Sequence, residues 1–125
     1  MYAEDLTCQS LGITLEEVGV GAARMRMRVA KQMVNGHGIA HGGYVFLLAD
    51  AAFAYACNSY GPVTVAHGAQ VTFVRPAFVD DDLVAEAVER TRYGRHGVYD
   101  VTVRRTGEIV AEFRGQSVTV AGNPG

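Results

Sequence analysis

The sequence predicts an α+β fold, with one long helix buried against a strongly curved antiparallel sheet. Three observations carry this prediction. The stretch from about Gly43 to Ser59 is apolar, alanine-rich and free of proline, and no other part of the chain has that character. Its apolar residues run round the whole helical circumference, the pattern of a helix enclosed by protein. Arg24 to Val29 alternates charged and apolar residues without a break, the period of a half-buried strand. Beyond Val63 the chain is a succession of β-rich runs separated by short turn signals, which favours antiparallel neighbours.

Taken in order, Ala3 to Leu11 reads as a short helix with apolar Leu6 and Leu11, ended by Gly12. Ile13 to Val20 reads as a strand, and Gly19 and Gly21 flank the turn into the alternating one. There Met25, Met27 and Val29 are expected to point inward. Asn35-Gly36-His37-Gly38 is a loop, since Asn and Gly tolerate positive φ. The long helix follows and is stopped by Asn58-Ser59-Tyr60-Gly61-Pro62. Four strands remain. Val63 to Val74 is closed by Arg75-Pro76, and Leu83 to Arg92 follows an Asp80-Asp81-Asp82 turn. Val98 to Arg105 follows a turn at Gly94 to Gly97, and Ile109 to Val120 follows the hairpin signal Thr106-Gly107-Glu108. Asn123-Pro124-Gly125 reads as a frayed tail. Joined by tight turns, the strands are expected to form a meander. The outer sheet face and the edge strands then call for a second copy as cover.

Composition narrows the function. A chain of 125 residues, 49% apolar and 19% charged, suits one domain over 1–125 with a real core. Eleven Lys+Arg against thirteen Asp+Glu give a net charge of −2, which lacks the electrostatic footprint of a nucleic-acid binder. Lys31 is the only lysine, so the other cations are arginines. Cys8 and Cys57 show no metal-ligand spacing and make no disulfide framework. The first ten residues carry Glu4 and Asp5 and no apolar run. The most apolar stretch, Tyr44 to Cys57, is interrupted by Asp50 and too short for a span of about 20 residues. A cytoplasmic protein without a membrane segment is the expectation.

Asp50 is the residue that packing does not explain. It stands among Phe46, Leu47, Leu48, Ala49, Ala51, Ala52, Phe53 and Ala54, where a carboxylate meets a desolvation penalty unless it is hydrogen-bonded or reaches a cleft. A structural Asp accepting bonds from a neighbouring loop is the alternative. His41-Gly42-Gly43 lies at the helix start, where the first N–H groups lack intrahelical partners and the helix dipole is positive. Glycine there leaves a ligand room to approach, so the segment suits an oxyanion hole, or else a plain flexible turn. Asp50 follows Gly42 by eight residues, about 12 Å along the helix axis. The two therefore meet on one substrate only if Asp50 reaches the partner subunit's His41 and Gly42, which implies an obligate dimer.

Asn35 fixes the loop, orients His41 or holds a water, or it is simply a turn former. His37 and His41 are four apart but in a glycine loop, which does not meet the helical spacing a metal needs. Cys57 reads as a small core residue. Neither a Gly-x-Ser-x-Gly elbow nor a phosphate-binding glycine fingerprint is present. Seven arginines fall in the second half. Arg92 and Arg95, flanking the Tyr93-Gly94 turn, are the best phosphate candidates, and Arg75 before Pro76 comes next. Gly43 and Phe46 complete the candidate binding set. Phe46, Leu47, Phe53 and Tyr55 line an aromatic pocket or belong to the core.

The segments Asn35 to Gly43, Phe46 to Ala54 and Ala56 to Ser59 together resemble the hotdog-fold acyl-CoA thioesterases. Within them they resemble the phenylacetyl-CoA thioesterases of bacterial phenylacetate degradation. Phe73-Val74-Arg75-Pro76, Gly97-Val98-Tyr99-Asp100 and Phe113-Arg114-Gly115 extend the likeness, while Met1 to Val20 carries little of it. The resemblance implies a long helix wrapped by an antiparallel sheet, dimers that commonly pair into homotetramers, and active sites at the dimer interface. It implies acyl-CoA as substrate and no cofactor. Asp50 matches the catalytic carboxylate, as general base or nucleophile. Gly42 matches the N–H that polarises the thioester carbonyl, His41 the histidine beside the thioester, and Asn35 the polar loop residue.

The chemistry agrees, because a thioester is an activated acyl group whose hydrolysis needs a carbonyl clamp and a carboxylate but no metal. An Asp near about pKa 3.9 is ionised at neutral pH. Two other readings stay open. A hotdog enoyl-CoA hydratase also uses an Asp and a His, but its close Asp and His with an intervening Asn and Pro do not occur after Asp50. A non-enzymatic acyl-CoA-binding domain would not need a carboxylate in an apolar helix.

Overall fold

The structure is a computed structural model describing residues 1–120, so the tail expected at Asn123-Pro124-Gly125 lies outside the described residues. The N-terminal helix is split. A 3-10 turn at Tyr2–Glu4 gives way at Asp5 to α1 (Leu6–Ser10), whose amide at Cys8 donates to the Asp5 carboxylate. Asp5 interrupts the helix because its side chain caps a new one. Leu6 is exposed and Cys8 supplies the buried side chain.

Strands β1 (Thr14–Gly19), β2 (Ala22–Arg28), β3 (Thr64–Phe73), β4 (Asp82–Tyr93), β5 (His96–Arg105) and β6 (Glu108–Thr119) form one antiparallel sheet. A second 3-10 turn, Lys31–Met33, precedes the glycine loop. The long helix α2 runs from Gly42 to Cys57, within two residues of its expected bounds.

The order across the sheet is β1-β2-β4-β5-β6-β3, which corrects the simple meander. β3 does not lie beside β2 or β4. Helix α2, about 24 Å long, carries the chain across the sheet's inner face and delivers β3 to the far edge, against β6. The turns that make β4, β5 and β6 consecutive are local and legible in the sequence. The crossing is a consequence of burying α2.

That burial decides the core. Met25, Met27 and Val29 are fully buried, as the alternation of β2 requires, and meet Leu83, Ala85, Val101 and Val103 from β4 and β5. Each large apolar side chain so buried contributes about 1.5–3 kcal/mol. From α2, Leu48, Ala49, Ala52, Phe53 and Ala56 face the sheet, and the alanines let it approach closely. At the nearest point Gly115 of β6 is essential, since a Cβ there would lie 2.8 Å from the Phe53 ring. Phe53 is therefore a core residue, whereas Tyr55, also buried, borders a cavity with Tyr2, Leu15 and Val18.

The helix is not enclosed all round, contrary to the expectation from its composition. A single sheet wraps one side only. Gly43, Phe46, Leu47, Asp50 and Ala54, spaced as one helical face, stay half-buried or exposed. The outer sheet edge is equally uncovered, with Val65 and Phe73 of β3 and the flanking Val63 and Val74 all exposed.

Candidate active site

The site is built from a loop, a helix start and the open helix face. Asn35 organises the loop. Its Oδ1 accepts the amides of His37 at 2.8 Å and Ile39 at 3.1 Å, and its own N–H bonds to the Ile39 carbonyl. This closes a turn that swings the chain back, so that the His41 amide bonds to the Met33 carbonyl. Of the roles open to Asn35, fixing the loop is the one its bonds carry out.

His41 is the N-cap of α2, exposed, in extended backbone and without a side-chain cap bond. Among the described residues, the N–H groups of Gly42 and Gly43 have no acceptor in the chain. Two donors therefore project from the positive end of a sixteen-residue helix. The ring of Phe73 lies directly on Gly42. A Cβ at Gly42 would stand 2.8 Å from the Phe73 ring, so only glycine fits under it. Gly43 faces open space.

Beside Gly42 lies a cavity of about 370 Å³ lined by Ile39, Val45, Phe73, Arg75 and Val110, among other mostly apolar groups. Its size is that of a small-molecule site. Phe73 belongs to the family likeness but carries no role there. Its place over Gly42 depends on β3 reaching the far edge, which local sequence does not show.

Asp50 lies two turns further on, half-buried on the open face between Phe46, Leu47 and Ala54. Among the described residues it accepts no hydrogen bond, so the neighbouring-loop alternative has no bond to support it. Desolvation alone raises its carboxyl above the ordinary carboxylate value. Phe46 leans on the core, edge-to-face with Phe113 at 5.3 Å between centroids. Cys57 is buried, and burial pushes its thiol up to about 11, the direction opposite to an activated thiolate.

The structure brings Asn35, His41, Gly42, Gly43 and Arg75 to one end of α2. It does not bring Asp50 to Gly42 within one chain. Arg92 and Arg95 lie at the opposite end, around a cleft that includes Cys57, Tyr60 and Thr64. The three arginines differ in freedom. Arg75 donates to the Ile109 carbonyl at 2.9 Å. Arg92 is stacked 3.7 Å over the Tyr60 ring and lies 3.9 Å from Glu89. Among the described residues Arg95 has no side-chain partner. Among the same residues no helix is long and apolar enough to cross a membrane.

Comparison with known proteins places this geometry. Residues 37–112 match the thioesterase superfamily. The chain is 44% identical over 123 residues to the acyl-coenzyme A thioesterase PaaI of Escherichia coli, covering 98% of this chain and 88% of that protein. The solved structure of the E. coli PaaI protein from the phenylacetic acid degradation operon superposes with a TM-score of 0.96 at 43% identity, over 98% of this chain and 90% of that one. A variant of the phenylacetic acid degradation protein PaaI from Thermus thermophilus gives a TM-score of 0.89 at 34% identity, over 93% of this chain and all of that one.

Proposed function

The chain belongs to the thioesterase superfamily and is a homologue of an acyl-coenzyme A thioesterase, and from that premise we propose that it hydrolyses aryl- or acyl-CoA thioesters. Phenylacetyl-CoA or hydroxyphenylacetyl-CoA is the favoured substrate, in keeping with the phenylacetic acid degradation operon of its E. coli relative. The products are the free acid and coenzyme A. One observation carries the reading. Among the described residues, a half-buried carboxylate with no hydrogen bond, Asp50, shares one helix with a start whose Gly42 and Gly43 N–H groups also lack partners.

In this reading the Gly42 N–H receives the thioester oxygen, and negative charge growing there is stabilised at the helix's positive end. Asp50 either takes a proton from the attacking water or attacks the acyl carbon itself, forming an anhydride that water then opens. In both routes the C–S bond breaks and the coenzyme A sulfur leaves as thiolate, to be protonated by solvent. His41 flanks the thioester and Asn35 holds the loop that carries it. Gly43 leaves room for the ligand, and Phe46 offers an apolar wall beside Asp50.

The 12 Å or so between Gly42 and Asp50 supports a dimer in which Asp50 serves the partner subunit's Gly42. The exposed apolar edge of β3 and the open face of α2 supply the surface. We read the subunit as a single domain, cytoplasmic, with dimers pairing into a homotetramer.

The test is thiol release from a panel of acyl-CoAs that includes phenylacetyl-CoA and its hydroxylated forms, with Asp50→Asn beside the parent. Turnover by the parent and its loss in a folded variant is the expected result. Binding of CoA esters with no thiol release from any member would leave a ligand-binding domain instead.

A further inference from the structure

We propose that the Asp81–Arg105 ion pair positions the Asn35–His41 loop, fixing from outside the helix the residues that aim the Gly42 N–H. What Gly42 does rests on the thioesterase reading. What the ion pair holds rests on its own hydrogen bonds.

Asp81 lies between Phe78 and the start of β4, and Arg105 ends β5. One oxygen of Asp81, Oδ2, accepts both the Phe78 amide and the Arg105 guanidinium, each at 2.7 Å. The guanidinium also faces the Phe78 ring at 5.2 Å, so both members of the pair hold Phe78. Their side chains are only 25% and 24% exposed. Every other ion pair among the described residues has at least one side chain 41% exposed or more. Such exposed pairs contribute little. Burial pushes the Asp81 carboxyl up, but the Phe78 amide and Arg105 outweigh it and hold it below the ordinary carboxylate value. The pair is therefore charged at neutral pH.

Two backbone paths lead from this turn to His41. In the first, the Asp80 amide donates to the Val29 carbonyl at 2.8 Å and the Val29 amide to the Asp81 carbonyl at 2.9 Å, which ties down the chain as it leaves β2. Val29 leads into the Lys31–Met33 turn, and the Met33 carbonyl accepts the His41 amide at 2.8 Å. In the second, Phe78 pairs with Ile39, and the Ala77 carbonyl accepts the Ala40 amide at 2.8 Å. Asp80 holds a φ of 72°, which a non-glycine residue keeps only where its surroundings impose it. The two paths meet at Ala40 and His41, immediately before Gly42. His41 makes no side-chain cap, so these bonds hold the residues that enter the helix. The second path also sets the cavity beside Gly42, which Ile39, Ala40 and Ala77 all line.

A carbonyl clamp works only when its donors already point where negative charge will grow. A loosened loop keeps the substrate contacts and loses the alignment, so the loss falls on kcat and not on KM. A pair that only stabilised the fold would lower Tm and leave kcat alone. The exposed Arg104–Glu86 pair, one residue back along β5 at 3.4 Å, supplies that contrast.

The experiment compares the parent with Asp81→Asn, Arg105→Gln, Arg105→Lys and Arg104→Gln. Hydrogen exchange is followed by NMR at the Asn35, Ile39, Ala40 and His41 amides, and kcat and KM are measured with phenylacetyl-CoA, beside Tm. In Asp81→Asn and Arg105→Gln these amides should exchange about tenfold faster, beyond any change in the β5 core, and kcat should fall about tenfold at parental KM. Arg105→Lys keeps the charge and should recover most of kcat, while Arg104→Gln should match the parent in exchange and turnover. Arg105→Gln leaves the Asp81–Phe78 bond in place, so it reads the ion pair even where Asp81→Asn does not fold. Parental exchange at the loop amides, or a lowered Tm with parental kcat, overturns the positioning role. Faster loop exchange in variants of a parent that cleaves no thioester keeps the ion pair's hold on the loop and fails the hydrolase reading.

Discussion

The two ends of α2 are built on opposite principles. At the C-terminal end the side chains of Asn58, Ser59 and Tyr60 are all hydrogen-bonded. The Asn58 amide donates to the Ala54 carbonyl at 2.8 Å and the Thr64 carbonyl at 2.9 Å, and its Oδ1 accepts the Thr64 amide at 2.9 Å. Ser59 Oγ donates to the Ala56 carbonyl and accepts the Gly21 amide. Glu89 gathers the hydroxyls of Tyr60 and Tyr99 at 2.8 and 3.1 Å. At the N-terminal end there is no side-chain cap, two glycines, an exposed His41 and two N–H groups without acceptors among the described residues. One end joins α2 to the β1–β2 turn, β3, β4 and β5. The other keeps the donors that a substrate oxygen would use. Unsatisfied donors cost stability, and their retention at one end is why we propose that end as the working one.

The contrast can be broken from either side. The largest expected effect is on Asp50. Asp50→Asn should lower kcat by about 10³-fold with an unchanged circular-dichroism spectrum, and a folded variant that keeps parental turnover would remove Asp50 from the chemistry. Next is Gly42→Ala, whose Cβ collides with the Phe73 ring. Displacing that ring and the helix start should cost about 100-fold in kcat/KM. Adding Phe73→Ala should recover part of the loss, and a double variant no better than the single would show that crowding is not the cause.

The C-terminal end should respond in stability alone. Asn58→Ala removes three hydrogen bonds and should destabilise by about 2 kcal/mol in denaturant titration, with kcat unchanged. A loss of kcat instead would dissolve the division between the ends.

The smallest effect is a pH dependence. Asp50's carboxyl is raised by burial, so folding favours its protonated form. That contribution is fully present below the unfolded value of 3.8 and is lost as pH rises through the raised folded value. Asp50→Asn should therefore have a higher Tm than the parent at pH 7, with the difference shrinking as the pH falls to about 4. In the parent, the acid limb of kcat/KM should lie above 3.8. A Tm difference independent of pH would mean that the carboxyl is not desolvated.

Much of this is legible in local sequence. The alternation of Arg24 to Val29 marks a strand and its inward face because side chains alternate with period two, and Met25, Met27 and Val29 are fully buried. The Asn35 loop, the helix start at His41-Gly42-Gly43 and the Asn58 stop follow from turn and capping chemistry that acts within a few residues. Asp50 stands out because a carboxylate in an apolar run conflicts with its surroundings, a conflict visible without coordinates.

Other features need the tertiary structure, since they pair residues distant in the chain. Composition cannot tell that one sheet covers only one face of α2 and leaves Asp50 half-open. Nor can turn signals place β3 at the far edge beside β6, and with it Phe73 over Gly42 and His67 beside His96. The three candidate arginines look alike in sequence. Which one is free depends on Tyr60, Glu89 and Ile109, supplied from a helix end and two strands. Local sequence determined what each segment is, because periodicity, capping and turn chemistry act over a few residues. Only the packing of α2 on the sheet decided which groups meet and which are left without partners.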